Sequence, residues 1–316
     1  MTTLLVSQPN FADHQTPPGH AERADRISAV EEALAIDRFG PLLRRDAVST
    51  DLALAELVHG PDYLARLRDA RPAEGMRPLD PDTYISAGSL DVAATGLGGA
   101  LMALDAVVLG EADNAFCAIR PPGHHAEIDT AMGFCLINTA AVVAREAQRK
   151  YGADRVAIVD FDVHHGNGTQ DIFKADPSVF YASSHQQHIF PGTGRSDETG
   201  VGNIVNTPLA AGSGGEAMRE AYAGRILPAL IDFAPDLIII SAGFDAHERD
   251  PLAQLLWRGP DFAWVTGKLM DVAERWCGNR IVSLLEGGYD PEGLAAGAQH
   301  HVAMLMDGAV GRLEHE

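Results

Sequence analysis

Cysteine is scarce in this chain: Cys117, Cys135 and Cys277 are the only three, and no two of them form a Cys-x-x-Cys pair. That excludes a disulfide framework and a thiolate zinc site, and a reducing cytoplasm is the expected compartment. Positive charge is also short, with 24 Lys and Arg against 44 Asp and Glu and a formal net charge of -20. The balance argues against a nucleic-acid partner and leans mildly toward a cationic substrate. No uninterrupted apolar run reaches about 18 residues, and Met1 to Ser7 lacks a basic segment leading into a long apolar one. Neither a membrane partner nor an export signal is expected. No repeat or low-complexity linker divides the chain, so residues 1–316 are read as one domain, with Arg71 to Asp82 as a surface loop. Homo-oligomerisation is left open.

What is present is a hydrophobic content of 46%, enough to bury a large core, arranged as short apolar runs alternating with helix-period segments. The runs Leu4 to Ser7, Ala115 to Ile119, Arg155 to Phe161, Val179 to Ala182, Asn203 to Asn206, Leu237 to Ser241 and Arg280 to Leu285 read as strands. Helices are expected over Ala24 to Ala35, Leu90 to Leu109, Asn138 to Tyr151, Gly215 to Phe233, Asp261 to Trp276 and Pro291 to Met306. Such alternation predicts an α/β fold, a parallel sheet covered by helices on both faces.

Four of these strands run into unusual polar motifs. Phe116 to Ile119 leads to Arg120-Pro-Pro-Gly-His-His125, and Val156 to Val159 to Asp160-Phe-Asp-Val-His-His-Gly-Asn-Gly-Thr169. Leu237 to Ile240 leads to Gly243-Phe-Asp-Ala-His247, and Ile281 to Leu285 to Glu286-Gly-Gly-Tyr289. In a parallel sheet the C-terminal strand ends share one edge, where α/β proteins bind ligands, so the four motifs should converge.

Asp162 and His164 stand two residues apart, and in extended chain their side chains share a side. With Asp245 they form a three-ligand set that leaves a coordination position open, as in a catalytic zinc site. Zn²⁺ is the first expectation, and Fe²⁺, Co²⁺ and Mn²⁺ suit the same donors. A turn or helix cap is the competing reading for each aspartate. His124 and His125 offer proton carriers, each needing an acceptor for its second ring nitrogen; Asp160 and Asn167 are available. An amide acceptor would raise an imidazole pKa less than a carboxylate would. His165 should point away from the metal side and bond structurally. Tyr289, turned by Gly287 and Gly288, can donate to an oxyanion. Phe134, after Gly133, and Phe190 are candidate channel walls, with core packing as the alternative.

Together these motifs, with Phe190-Pro-Gly-Thr-Gly194, closely resemble the zinc-dependent histone deacetylase superfamily, on the side of class II bacterial amidohydrolases and acetylpolyamine amidohydrolases. The resemblance spans most of the chain in order. It implies a three-layer arginase/deacetylase fold with a central eight-stranded parallel sheet, and a zinc held by Asp162, His164 and Asp245 at the foot of a narrow channel. It further implies that Asp160 pairs with His124, and that Asn167, where class I members carry Asp, pairs with His125 as the general base. Tyr289 becomes the transition-state donor, and Gly133, Phe134, Phe190, Leu252, Gly287 and Gly288 belong to the channel. A structural K⁺ is implied at positions that include Asp160, Asp162, His164 and Ser183. Leu252 stands where polyamine-selective members carry an acidic residue, which weakens a polyamine substrate, and Asp80 or Asp82 is a candidate rim contact. The expected reaction is release of a short acyl group, acetyl first, from N-acylated lysine or a related amine. An acetylpolyamine amidohydrolase and a non-hydrolytic acyl-amine sensor are the alternatives. A binuclear arginase-like ureohydrolase lacks its additional aspartates.

Overall fold

The computed structural model describes residues 1–312. Eight parallel strands make one sheet: β1 (Thr3–Ser7), β2 (Leu43–Asp46), β5 (Asn114–Ala118), β6 (Val156–Asp160), β7 (Val179–Gln186), β8 (Ile204–Leu209), β9 (Leu237–Ala242) and β10 (Ile281–Leu285). They lie in the order β2-β1-β5-β10-β9-β6-β7-β8. The four strands that carry the polar motifs are therefore the four central ones. Convergence at one edge follows from sheet order alone.

Alternation along each central strand divides the apolar residues between two cores. Ala157, Val159, Ile238 and Ile240 pack with α1 (Asp25–Ala33), α8 (Gly259–Cys277) and α9 (Pro291–Arg312), the last kinked at Gly308. Val156, Ile158, Leu237 and Ile239 face the opposite layer, which contains α2 (Pro61–Ala70), α3 (Ser89–Val108) and α4 (Thr139–Tyr151). α3 is apolar enough over 20 residues to suit a membrane span, but most of it is buried against the sheet and α4. A helix hydrophobic on all sides is what a covered position demands.

Several elements differ from the sequence expectation. β2 reads Leu-Arg-Arg-Asp, and as an edge strand with alternately exposed residues it has no apolar run to announce it. Part of the supposed loop from Arg71 to Asp82 is strand β3 (Met76–Pro78), paired antiparallel with β4 (Tyr84–Ser86). The single helix expected over 215–233 is three pieces: α6 (Gly215–Ala221), a π turn (Tyr222–Ile226) and α7 (Leu227–Phe233). Pro228 has no N–H to give to the preceding turn, and the wider turn lies directly before it. β8 continues through Pro208, which an edge strand tolerates. Finally, a short helix, α5 (Asn167–Phe173), begins inside the Asp160 to Thr169 motif.

Candidate active site

Past the end of β6 the chain keeps its alternation. Phe161 and Val163 enter the core beside α8 and α9, whereas Asp160, Asp162 and His164 take the other side. His164 turns Nδ1 toward both carboxylates, 3.2 Å from Asp162 Oδ1 and 3.1 Å from Asp245 Oδ2. One ligand-type atom from each of the three lies within 4.8 Å of the others, and all three residues are buried.

The carboxylates are held by backbone donors. Asp162 accepts from His164 N at 2.9 Å and Gly287 N at 2.8 Å, and Asp245 accepts from Val163 N at 2.8 Å. Gly287 must be glycine here, because a Cβ would stand 2.2 Å from Asp245 Oδ2 and 2.5 Å from Asp162 Oδ2. Burial, then the Asp162 charge, pushes the Asp245 carboxyl up. Burial opposes a charged His164, but the two carboxylates outweigh it and carry the imidazole up to about 10. Buried negative charge converging on one point is what a bound cation neutralises.

The paired histidines differ in their partners. His124 Nδ1 is 3.0 Å from Asp160 Oδ2, which also accepts from the Tyr181 hydroxyl at 3.0 Å. His125 Nδ1 is 2.8 Å from Asn167 Oδ1. Burial works against charge on both rings. Asp162, Asp160 and Glu286 overcome it at His124 and hold that imidazole well above its ordinary value. At His125 the nearby His124 and His164 add to the burial, and the ring is held well below.

A cavity of about 220 Å³ is lined by Asp82, His125, Gly133, Phe134, His164, Ile189, Phe190, Leu252 and Tyr289. Gly133 has φ +56, and a Cβ there would stand 2.5 Å from the His125 ring and 2.9 Å from Phe190. Phe134 follows, itself left-handed at φ 69, with its N–H donated to Thr83 Oγ1 and its ring against His20. Phe190 meets the His125 ring edge-on, at 5.0 Å between centroids. Phe190 and Leu252 remain 40% and 42% exposed, a sign that they stand at an open mouth rather than in the core. Of the two rim aspartates, Asp80 is tied into its own turn by Asp82 N and Thr83 N, and Asp82 lines the cavity. Gly287 lies against the carboxylates of Asp162 and Asp245. Gly288 faces Leu294 and Phe244 and gives its carbonyl to Arg26, so it sits behind the channel rather than along it. His165 points away, bonded to Thr193 Oγ1 and Gln170 Oε1. Ser183 pairs in register with Asp160 on the neighbouring strand.

Some residues around the site carried no sequence expectation. Glu286 accepts from Gly123 N at 2.6 Å and Ser241 Oγ at 3.0 Å, fixing the loop before the histidines; burial pushes its carboxyl up to about 7. Asp250 accepts from Tyr289 N at 2.7 Å and Leu252 N at 3.0 Å, joining the phenol's backbone to the rim. Glu127 accepts from the Asn167 amide at 2.7 Å. Position within the strand-end motifs was the only signal for Glu286; Asp250 and Glu127 lie just beyond the ends of those motifs.

Residues 20–305 match the family described as histone deacetylase domain. A histone deacetylase-like amidohydrolase of Pseudomonas aeruginosa is 43% identical over 86% of this chain and 73% of its own. A probable deacetylase of Archaeoglobus fulgidus is 36% identical over 93% of this chain and 83% of its own. The crystal structure of the HDA15 HD domain superposes with a TM-score of 0.91 at 34% identity, covering 98% of this chain and 90% of that one. With its fold, its strand-edge cavity and its sequence all in agreement, the chain belongs to the histone deacetylase family.

Proposed function

We propose that this protein is a metal-dependent amidohydrolase that removes a short acyl group, acetyl first, from the amine of an acyl-lysine or a related linear amide. One observation carries the reading: one cavity is lined both by His125, His164 and Tyr289 and by Phe134 and Phe190. Aromatic lining suits the four methylenes of a lysine side chain, and the polar groups suit an amide.

Asp162, His164 and Asp245 would hold the metal, and two carboxylates with one imidazole fit Zn²⁺ with a position left open. Fe²⁺, Co²⁺ and Mn²⁺ accept the same donors. When bound, such an ion supplies Lewis-acid polarisation of the amide carbonyl and makes water more acidic. His125 accepts the water proton on Nε2 and returns it to the leaving amine. His124 stays charged between Asp160 and Asp162 and acts as an electrostatic partner. Tyr289 donates to the oxyanion that develops on the former carbonyl oxygen.

A K⁺ ion beside Asp160, Asp162, His164 and Ser183 suits the donor set. His185 Nε2 faces the Gly194 carbonyl, which can only accept, so its Nδ1 must take the Ser183 proton and leaves the serine lone pairs for a cation.

The test compares turnover of acetyl-lysine peptides, acetylated polyamines and longer acyl-lysines by the zinc-loaded protein, before and after chelation. Acetyl-lysine turnover that chelation abolishes and Zn²⁺ restores is expected. No turnover of any amide would leave the acyl-amine sensor as the better reading. A strong preference for acetylpolyamine would overturn the weight given to Leu252.

A further inference from the structure

The Asn167 amide is clamped at both ends. Its Nδ2 donates to Glu127 Oε1 at 2.7 Å and lies 3.2 Å from Met132 Sδ, while Oδ1 stands 2.8 Å from His125 Nδ1. A carboxylate has no proton to give, so the end facing Glu127 must be the NH₂ and the end facing His125 the carbonyl oxygen. A carbonyl oxygen only accepts. His125 therefore carries its proton on Nδ1, and Nε2 is left with a lone pair. Turned over, the amide would set its oxygen against the carboxylate and its NH₂ against Nδ1, driving the imidazole proton to Nε2. That tautomer cannot take a proton from water. The two ends of an amide are nearly the same shape, so the His125 and Asn167 pair alone does not choose between them.

We propose that Glu127 is a positioning residue of the deacylation reaction: through Asn167 it keeps His125 in the Nδ1–H tautomer, with Nε2 as the proton acceptor. The inference rests on the amidohydrolase reading above. It assigns to the His125 side a carboxylate at one remove, where His124 has Asp160 in direct contact. Glu127 is built to hold still. Its N–H donates to Thr130 O at 2.9 Å, and its carbonyl accepts from His59 Nδ1 at 2.8 Å. The adjoining Ala126 backbone is packed so closely by Gly168 of α5 that a Cβ there would stand 2.3 Å from Ala126 O. Because α5 begins at Asn167, the same packing sets the distance from amide to carboxylate.

The experiment is a double-mutant cycle on the zinc-loaded enzyme, reading kcat and KM on an acetyl-lysine peptide together with metal content and melting temperature. Asn167→Asp sets a second carboxylate against Glu127, whose repulsion pushes the new side chain off His125 Nδ1 and frees the ring to change tautomer, and kcat should fall about 100-fold at little change in KM, within the range a general base contributes. Adding Glu127→Gln gives the introduced carboxylate an N–H to accept from, and the pair should recover to within about tenfold of wild type. A role in folding alone would not restore kcat by adding a second substitution. Glu127→Gln by itself can still accept from Asn167 and should lose no more than about tenfold, with Glu127→Ala losing more. If the double variant is no better than Asn167→Asp, or if Glu127→Ala keeps wild-type kcat, the inference is overturned. Wild-type protein inactive on every acyl-lysine would instead overturn the amidohydrolase reading.

Discussion

His124 and His125 are neighbours in the chain with rings 4.0 Å apart, yet they occupy opposite electrical surroundings. The His124 side is walled by carboxylates: Asp160 on Nδ1, Asp162 at 3.8 Å from Nε2, and Glu286 accepting its backbone N–H at 3.2 Å. The His125 side meets an amide and two other imidazoles. Two rings this close and this buried do not both carry charge at modest cost. The charge settles where the carboxylates are, and the other ring is left neutral, ready to accept a proton. Environments that push two like groups apart are how a site assigns acid and base roles.

The largest expected effect separates the two sides directly. His125→Ala should lower kcat by about 10³-fold, within the range for a lost general base, and His124→Ala by clearly less, about 10- to 100-fold. Steady-state kinetics with matched metal content decide it, and a larger loss at His124 would reverse the assignment. Next, Tyr289→Phe removes the proposed oxyanion donor, whose part in the reaction does not depend on which histidine moves the proton. Turnover should fall about 10²- to 10³-fold with KM little changed. Near-normal turnover would remove Tyr289 from the mechanism and leave the histidine pair to account for the chemistry.

A smaller change makes the two sides alike. Asp160→Asn gives His124 an amide partner like that of His125, and loss of one charge-assisted hydrogen bond should cost kcat about 10- to 100-fold. Unchanged kcat would mean that the electrical contrast does not matter to the reaction.

The smallest effect is a pH dependence on the His125 side. His59 lies between Glu127 O, which accepts from Nδ1, and Asn138 N, which donates to Nε2 at 3.0 Å, so the neutral ring fits both partners. Burial pushes it from 6.5 down to about 4. Because the folded value lies below the unfolded one, its contribution to stability is present above pH 6.5 and is lost as the pH falls toward 4. His165, His185 and His301 are lowered too, so the slope is shared. Melting temperature should drop between about pH 6.5 and 4.5, and less steeply in His59→Gln. Equal slopes would show that His59 does not contribute.

Much of the site was legible before the fold was known. Asp162 and His164 reach one side because a strand alternates, and four apolar runs ending in polar motifs mark the edge of a parallel sheet. Elements without an apolar signature were not legible. β2 is an edge strand rich in arginine, and β3 lies inside what looks like a loop and pairs with β4 just beyond it. The start of α5 at Asn167 was hidden because its first residues, Asn-Gly-Thr, are as common in turns as in helices.

By itself, then, the sequence determined which strand-end motifs meet, since strand periodicity and a parallel sheet bring them to one edge whatever surrounds them. The tertiary structure decided which further side chains join them and which atoms face one another. That His164 offers Nδ1, that Asn167 turns its oxygen to His125 and that His124 carries the charge all depend on partners from other segments: Asp245 from after β9, Glu127 from after β5, Glu286 from the end of β10. Proton positions and charges answer to every neighbour within a few ångströms, and those neighbours are chosen by folding rather than by proximity along the chain.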